Sequence, residues 1–192
     1  IQASLVGSEM CIRDRIDLLP YKTMAGTRFY TKTTPLQDST AVSRLRRAGA
    51  LMVGKSSMHE LGMGITGLNV NCGTARNPHH PDHYPGGSSS GSAVAVASGI
   101  CPLALGMDGG GSIRIPASLS GVVGLKTTWG RISRSGTVPL SWSVSTMGPL
   151  GATVEDVAAG YVKIAGPDES DELTKQQPEI HLQRFYESRL EG

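Results

Sequence analysis

Three short stretches carry residues able to do covalent chemistry: Lys55 in Gly-Lys-Ser-Ser, Ser88 in Gly-Gly-Ser-Ser-Ser-Gly-Ser-Ala, and Ser112 in Asp-Gly-Gly-Gly-Ser-Ile-Arg. A serine hydroxyl is a poor nucleophile at its ordinary pKa and needs a group that takes its proton, a role lysine can fill. Lys55 follows the apolar run Ala50-Leu-Met-Val53, where burial would push its amine toward the neutral form a base requires. Three successive glycines ahead of Ser112 are costly unless the backbone must approach a ligand and aim several N–H groups at one point. That arrangement suits a developing oxyanion. Taken singly, these are a surface amine, a linker or helix cap, and a turn. Together in one chain they read as a serine hydrolase that works without histidine.

Other letter patterns fail on context. Gly49-Ala-Leu-Met-Val-Gly54-Lys55-Ser56 matches a P-loop, but a helix-like stretch precedes Gly49 and the intervening residues are strand-like, so no phosphate-wrapping turn is expected. Gly62-Met-Gly64-Ile-Thr-Gly67 matches a dinucleotide fingerprint. Pro78, Pro81 and Pro85 in the following stretch rule out the helix that motif must open. His79, His80 and His83 sit among prolines without a second ligand cluster, and His59-Glu60 lacks the second histidine of a zinc protease. Neither a metal nor a cofactor is implied.

Apolar spacing and caps supply the elements that must position the trio. Asp38-Ser39-Thr40 offers an N-cap for a helix of about three turns bearing Val42 and Leu45, stopped at Gly49. Residues 50–53 read as a short buried strand, 56–61 as a short helix, and 62–87 as a long irregular loop of the kind that usually carries function. A tightly packed helix is expected over 90–98, a strand over 103–105, a bend at the glycines, and a short helix opened by Ser112. A further strand over 122–125 precedes a helix over 154–165 with Thr153 and Asp156 as its capping box. Alternating strands and helices give an α/β layered domain with a mixed, mostly parallel sheet covered by helices. Residues 1–15 show neither helix nor strand periodicity and read as a scar of cloning or sequence assembly. Residues 16–166 form the domain, and 167–192 a polar tail with one weak helix near 182–190.

The 192 residues carry a net charge of +2 and no basic run interleaved with aromatics, which disfavours nucleic acid as a partner and favours a small molecule. The three cysteines, Cys11, Cys72 and Cys101, lack paired spacing, so a disulfide framework is not expected and a reducing, intracellular setting fits. The longest apolar stretch is too short and too interrupted to span a bilayer.

The chain resembles the amidase signature family of serine hydrolases. The resemblance runs over about 38–167 and rests on Ala50-Leu-Met-Val-Gly-Lys-Ser-Ser-Met-His-Glu-Leu-Gly, Asn77-Pro, Gly86-Gly-Ser-Ser-Ser-Gly-Ser-Ala93, Asp108-Gly-Gly-Gly-Ser-Ile-Arg-Ile-Pro-Ala117 and Gly121-Val-Val-Gly-Leu-Lys126, in that order. It implies an amide-hydrolysing Ser-Ser-Lys triad with Ser112 as nucleophile, Ser88 as bridging serine in a cis peptide geometry and Lys55 as base. It also implies an oxyanion hole from the amides of Gly109, Gly110, Gly111 and Ser112, with Asp108 and Arg114 as organisers of the loop. Asp17-Leu-Leu-Pro-Tyr-Lys-Thr and Gly124-Leu-Lys-Thr-Thr-Trp-Gly-Arg131 are similar to the plant-type fatty acid amide hydrolase subgroup. That would make the substrate a fatty acid amide, with membrane association where the substrate is a lipid. The alternatives are a glutaminyl-tRNA amidotransferase A-type glutamine amidase and an inactive truncated remnant. Two departures stand out. The apolar strand and Lys-Asp pair that members usually carry before Ile16-Asp17 are replaced by residues 1–15, and the family's domain continues beyond this chain, which reads as a fragment.

Overall fold

The computed structural model describes residues 5–32, 34–178 and 180. Five strands form one sheet in the order β2-β1-β3-β5-β4. They are β1 (Glu9–Arg13), β2 (Leu51–Ser56), β3 (Leu103–Asp108), β4 (Val123–Gly124) and β5 (Thr146–Gly151). β1 runs parallel to both β2 and β3, whereas β5 is antiparallel to β3 and β4, so the sheet is mixed. Four helices cover it: α1 (Thr40–Arg47), α2 (Ser90–Ala97), α3 (Arg114–Ser120) and α4 (Val154–Ile164).

Side-chain alternation along the strands divides the core in two. Met10, Ile12, Leu103, Leu105 and Met147 pack with Val42 and Leu45 of α1 and Tyr161 and Ile164 of α4. Cys11, Ala104 and Leu150 face the other way, onto Ala93 and Val96 of α2 and Ala117 of α3. The result is a three-layer α/β/α arrangement. Ser39 caps α1 by accepting from the Val42 N–H (3.3 Å), and Thr153 with Asp156 closes the expected capping box on α4.

Three local expectations need correction. Residues 9–13, which lack any readable periodicity, form β1 between β2 and β3. Only three apolar residues stand in it, and its last position, Arg13, is buried because it reaches polar partners inside the molecule. β2 is longer than its apolar run and lies at the sheet edge, leaving Leu51 and Val53 exposed and placing Lys55 within the strand. No α-helix follows it; a single 3-10 turn spans Glu60–Gly62, with Leu61 at a positive φ of 53°.

β5 is also hidden from a reading of the sequence, since Thr-Met-Gly-Pro-Leu-Gly reads as a loop. Its Gly148 is required by close approach: a Cβ there would lie 2.0 Å from the Leu125 carbonyl oxygen. Gly148→Ala is expected to cost about 1–3 kcal/mol, the usual range for overpacking, read as a lower urea midpoint at an unchanged slope. A midpoint equal to that of the parent chain would show that the β4 segment yields freely.

Candidate active site

The parallel strands β1, β2 and β3 end together at Arg13, Ser56 and Asp108, and in open α/β sheets ligands bind beyond such carboxyl ends. The serine cluster enters there. Ser88, Ser89 and Ser90 are fully buried ahead of and at the start of α2, and the Gly87–Ser88 peptide is cis. Arg13 projects into this cluster from the tip of β1. Its Nη2 donates to Ser88 Oγ (2.8 Å), and its Nη1 donates to Ser89 Oγ (2.7 Å) and to the Met107 carbonyl (2.6 Å). Burial and the neighbouring Arg15 push the Arg13 pKa down, while Asp108 and Asp14 push it up. A guanidinium offers donors and no acceptor, so Arg13 can orient these hydroxyls but does not serve as a proton acceptor.

Ser112 sits half-buried after the three glycines, and its carbonyl accepts from the Ser89 N–H (3.0 Å), which ties the two serine loops together. Asp108, fully buried, shapes the bend. Its Oδ1 accepts from the Gly111 N–H (2.7 Å), and its Oδ2 accepts from the N–H groups of Ile113 (3.0 Å) and Arg114 (3.3 Å). The Arg114 side chain adds Nε to Oδ2 and Nη2 to Oδ1, both at 3.0 Å. Burial alone would raise the Asp108 pKa; the bonds from Arg114 and from these backbone amides outweigh it and hold the carboxyl below its ordinary range. The Gly111 amide, one of the four expected in the oxyanion hole, is therefore engaged by Asp108 instead.

Lys55 stands elsewhere. Its Nζ donates to the Ile16 carbonyl and to Thr23 Oγ1 (3.1 Å), and it lies 3.8 Å from Asp14 Oδ1. Burial lowers its pKa to about 8, against the opposing pull of Asp14 and Asp17. The amine is thus partly desolvated as expected, but among the described residues it makes no bond to Ser88. The cation on Ser88 is Arg13. The tip of β2 also reaches α2, through Ser56 Oγ on Ser92 Oγ (2.8 Å), but the Lys55 side chain, one residue earlier, leaves toward Ile16 and Thr23 instead.

Sequence reasoning misses Arg13, Ser89 and Lys126. Lys126 Nζ donates to the carbonyls of Asp108 (2.6 Å), Gly109 (3.1 Å) and Val144 (2.9 Å), buttressing the glycine bend from behind. The one available signal is the strand-like Met-Cys-Ile run closed by Arg13-Asp14, at the place where the family resemblance calls for a strand and a Lys-Asp pair.

A cavity of about 110 Å³ opens beside Ser112, lined also by Gly109, Gly110, Gly62, Arg15 and Leu140. A larger hollow of about 390 Å³ lies between the β4 segment and α4, away from both serine loops. Among the described residues no cluster of His, Cys, Asp or Glu could hold a metal, and no helix is long and apolar enough to cross a membrane. His79 Nε2 is instead hydrogen-bonded to the Ser120 carbonyl (2.9 Å).

Comparison with known proteins finds relatives among amide-acting enzymes. The chain is 50% identical over 171 residues to a fatty acid amide hydrolase of Oryza sativa, covering 88% of this chain and 28% of that protein. It is 45% identical over 167 residues to the A-type subunit of the glutamyl-tRNA(Gln) amidotransferase of Salinibacter ruber, covering 87% of this chain and 32% of that one. The native peptide amidase of Stenotrophomonas maltophilia superposes with a TM-score of 0.88 at 40% identity, over 94% of this chain and 38% of that chain. The chain thus spans about a third of the length of the relatives it matches. The sequence profile described as Amidase matches residues 2–192, and the chain belongs to the amidase family.

Proposed function

We propose that the site hydrolyses carboxylic amides through an acyl-enzyme on Ser112. The observation that carries this reading is the Asp108 clamp, which fixes Ser112 and the amides of Gly109 and Gly110 on one cavity wall. Ser112 Oγ attacks the amide carbonyl carbon, and the carbonyl oxygen takes up negative charge against those amides. Ser88 Oγ already accepts a hydrogen bond from Arg13, so its own proton is free to be given. In the proposed step the Ser112 proton moves to Ser88 Oγ as the Ser88 proton moves to the amide nitrogen. The C–N bond breaks and amine leaves. Water then cleaves the ester, returning the acid and the free serine.

A fatty acid amide is the substrate reading supported by the plant relative. A glutamine-derived amide is the alternative supported by the amidotransferase relative. Lys55 enters this scheme as the tie between β2 and the segment carrying Asp14 and Thr23.

A fluorophosphonate probe with the adduct located by mass spectrometry tests the reading. Covalent phosphonylation at Ser112 in the native chain, absent after heat denaturation, is the expected outcome. A folded chain that stays unlabelled, or is labelled at Ser88 instead, would reject Ser112 as nucleophile.

A further inference from the structure

The cavity beside Ser112 has one charged residue in its lining, and that residue is buried without a counter-ion among the described residues. Arg15 is 3% exposed. Its Nε and Nη2 both donate to the Val138 carbonyl, the former at 3.0 Å. Nη1 makes no hydrogen bond among the described residues, and it lies 3.5 Å from where a Cβ on Gly62 would stand, which places it at the cavity wall. Among the described residues no carboxylate pairs with Arg15.

The neighbouring charges do not neutralise it. Arg13 adds a second buried cation. Asp108 is committed to Arg114, Lys126 and the glycine bend, and Asp14 to Lys55 and the amides of Met24 and Gly26. A third guanidinium, Arg134, lines a neighbouring small hollow rather than this cavity and is already occupied: it stacks on Trp129 and Trp142 and lies 3.9 Å from Asp171. Burial pulls the Arg15 pKa to about 10, so the group is still charged at neutral pH. A buried cation left unpaired is expensive, and the cost is relieved when a ligand brings the missing anion.

We infer that Arg15 is a specificity determinant of the Ser112 cavity that takes the carboxylate of an amide substrate, selecting short amides that carry a second, anionic group, such as the monoamides of dicarboxylic acids. This rests on the hydrolase reading for its biological sense, but the binding claim does not depend on turnover. A cavity of about 110 Å³ suits an acyl group of a few carbons and not a fatty acyl chain, so the inference departs from the fatty acid amide reading, and a guanidinium is the side chain best matched to a carboxylate's two oxygens.

Isothermal titration of this chain with succinamate, with butyramide as its neutral counterpart and with acetate as a bare anion, tests the inference. Succinamate should bind about 10–100-fold more tightly than either, the range expected for a charge-assisted hydrogen bond. Arg15→Gln should erase that preference, and Arg15→Lys should retain part of it. Equal affinity for succinamate and butyramide in the parent chain would overturn the inference, whether or not any variant folds, and so would acetate binding as tightly as succinamate. Fluorophosphonate labelling of Ser112 in the same sample reports on the hydrolase reading separately: labelled chain without anion preference refutes this inference alone, and anion preference without labelling refutes the hydrolase reading alone.

Discussion

Arg13→Lys is expected to raise the rate at which Ser112 is acylated by about 10²–10⁴-fold, the usual contribution of a positioned general base. In the parent chain the only cation described as touching Ser88 Oγ is a guanidinium 2.8 Å away, and a guanidinium can orient the hydroxyl but cannot take its proton. The pocket it occupies is nearly sealed, since Arg13 is 1% exposed. A primary amine in that pocket would be strongly desolvated and driven toward its neutral form, with Ser88 Oγ within reach as partner. The family resemblance points the same way, because Arg13-Asp14 stands where members usually carry Lys-Asp. The measurement is the second-order rate constant for fluorophosphonate labelling across pH. The variant's rate should climb as pH rises through the pKa of the new amine and then level off, whereas the parent's should show no such step. Adding Ser112→Ala to the variant should abolish labelling. A correctly folded Arg13→Lys chain that labels at the parental rate would show that the proton leaves Ser112 by some other route.

Asp108→Ala is expected to destabilise the chain by about 3–5 kcal/mol, the range for removing one partner of a buried ionic network. The carboxylate accepts from three backbone amides and from Arg114, and Lys126 is within 3.4 Å. Most of the loss should come from the orphaned amides and from Lys126. The Arg114 side chain is 53% exposed, and its share is discounted by solvent screening. The sign with pH follows from a carboxyl whose folded pKa lies below its unfolded value of about 3.9. Its stabilising contribution is complete above the unfolded pKa and fades as pH falls toward the folded one. Urea midpoints of parent and variant should therefore differ most near neutrality and converge in acid. A difference near pH 7 under about 1 kcal/mol, less than a single net hydrogen bond commonly contributes, would mean that the glycine bend holds its shape without the clamp.

The helices are legible in the sequence because their signals are local. Ser39 and Thr153 announce α1 and α4 as caps, and the small residues of 90–97 fit the close packing of α2 on the sheet. Ser112, Ser88 and the Asp108 bend are legible because glycine and serine in those numbers have few other reasons to stand together. What escapes is set by tertiary position. β5 contains Gly148 and Pro149, which read as loop until the Leu125 carbonyl is seen to need the space. β1 ends on a charged residue, and no periodicity argument places an arginine in a core; the hydroxyls of Ser88 and Ser89 and the Met107 carbonyl, 75, 76 and 94 residues away along the chain, make that burial tolerable. Lys55 reads as a base because it follows an apolar strand, which fits a pKa lowered by burial but says nothing of the direction its side chain takes, toward Ile16 and Thr23 rather than Ser88.

The central place of β1 also sets the order in which this molecule can assemble during synthesis. Arg13 and the Met107 carbonyl it binds are 94 residues apart, and the strand between them in sequence, β2, closes only one flank of β1. At roughly 5–20 residues per second, Met10, Cys11 and Ile12 wait on the order of 5–20 s after leaving the ribosome before β3 exists to cover their other side. Through that interval the nascent chain presents an unpaired strand edge and the apolar residues that will later lie deepest, a natural stretch for a holding chaperone to grip.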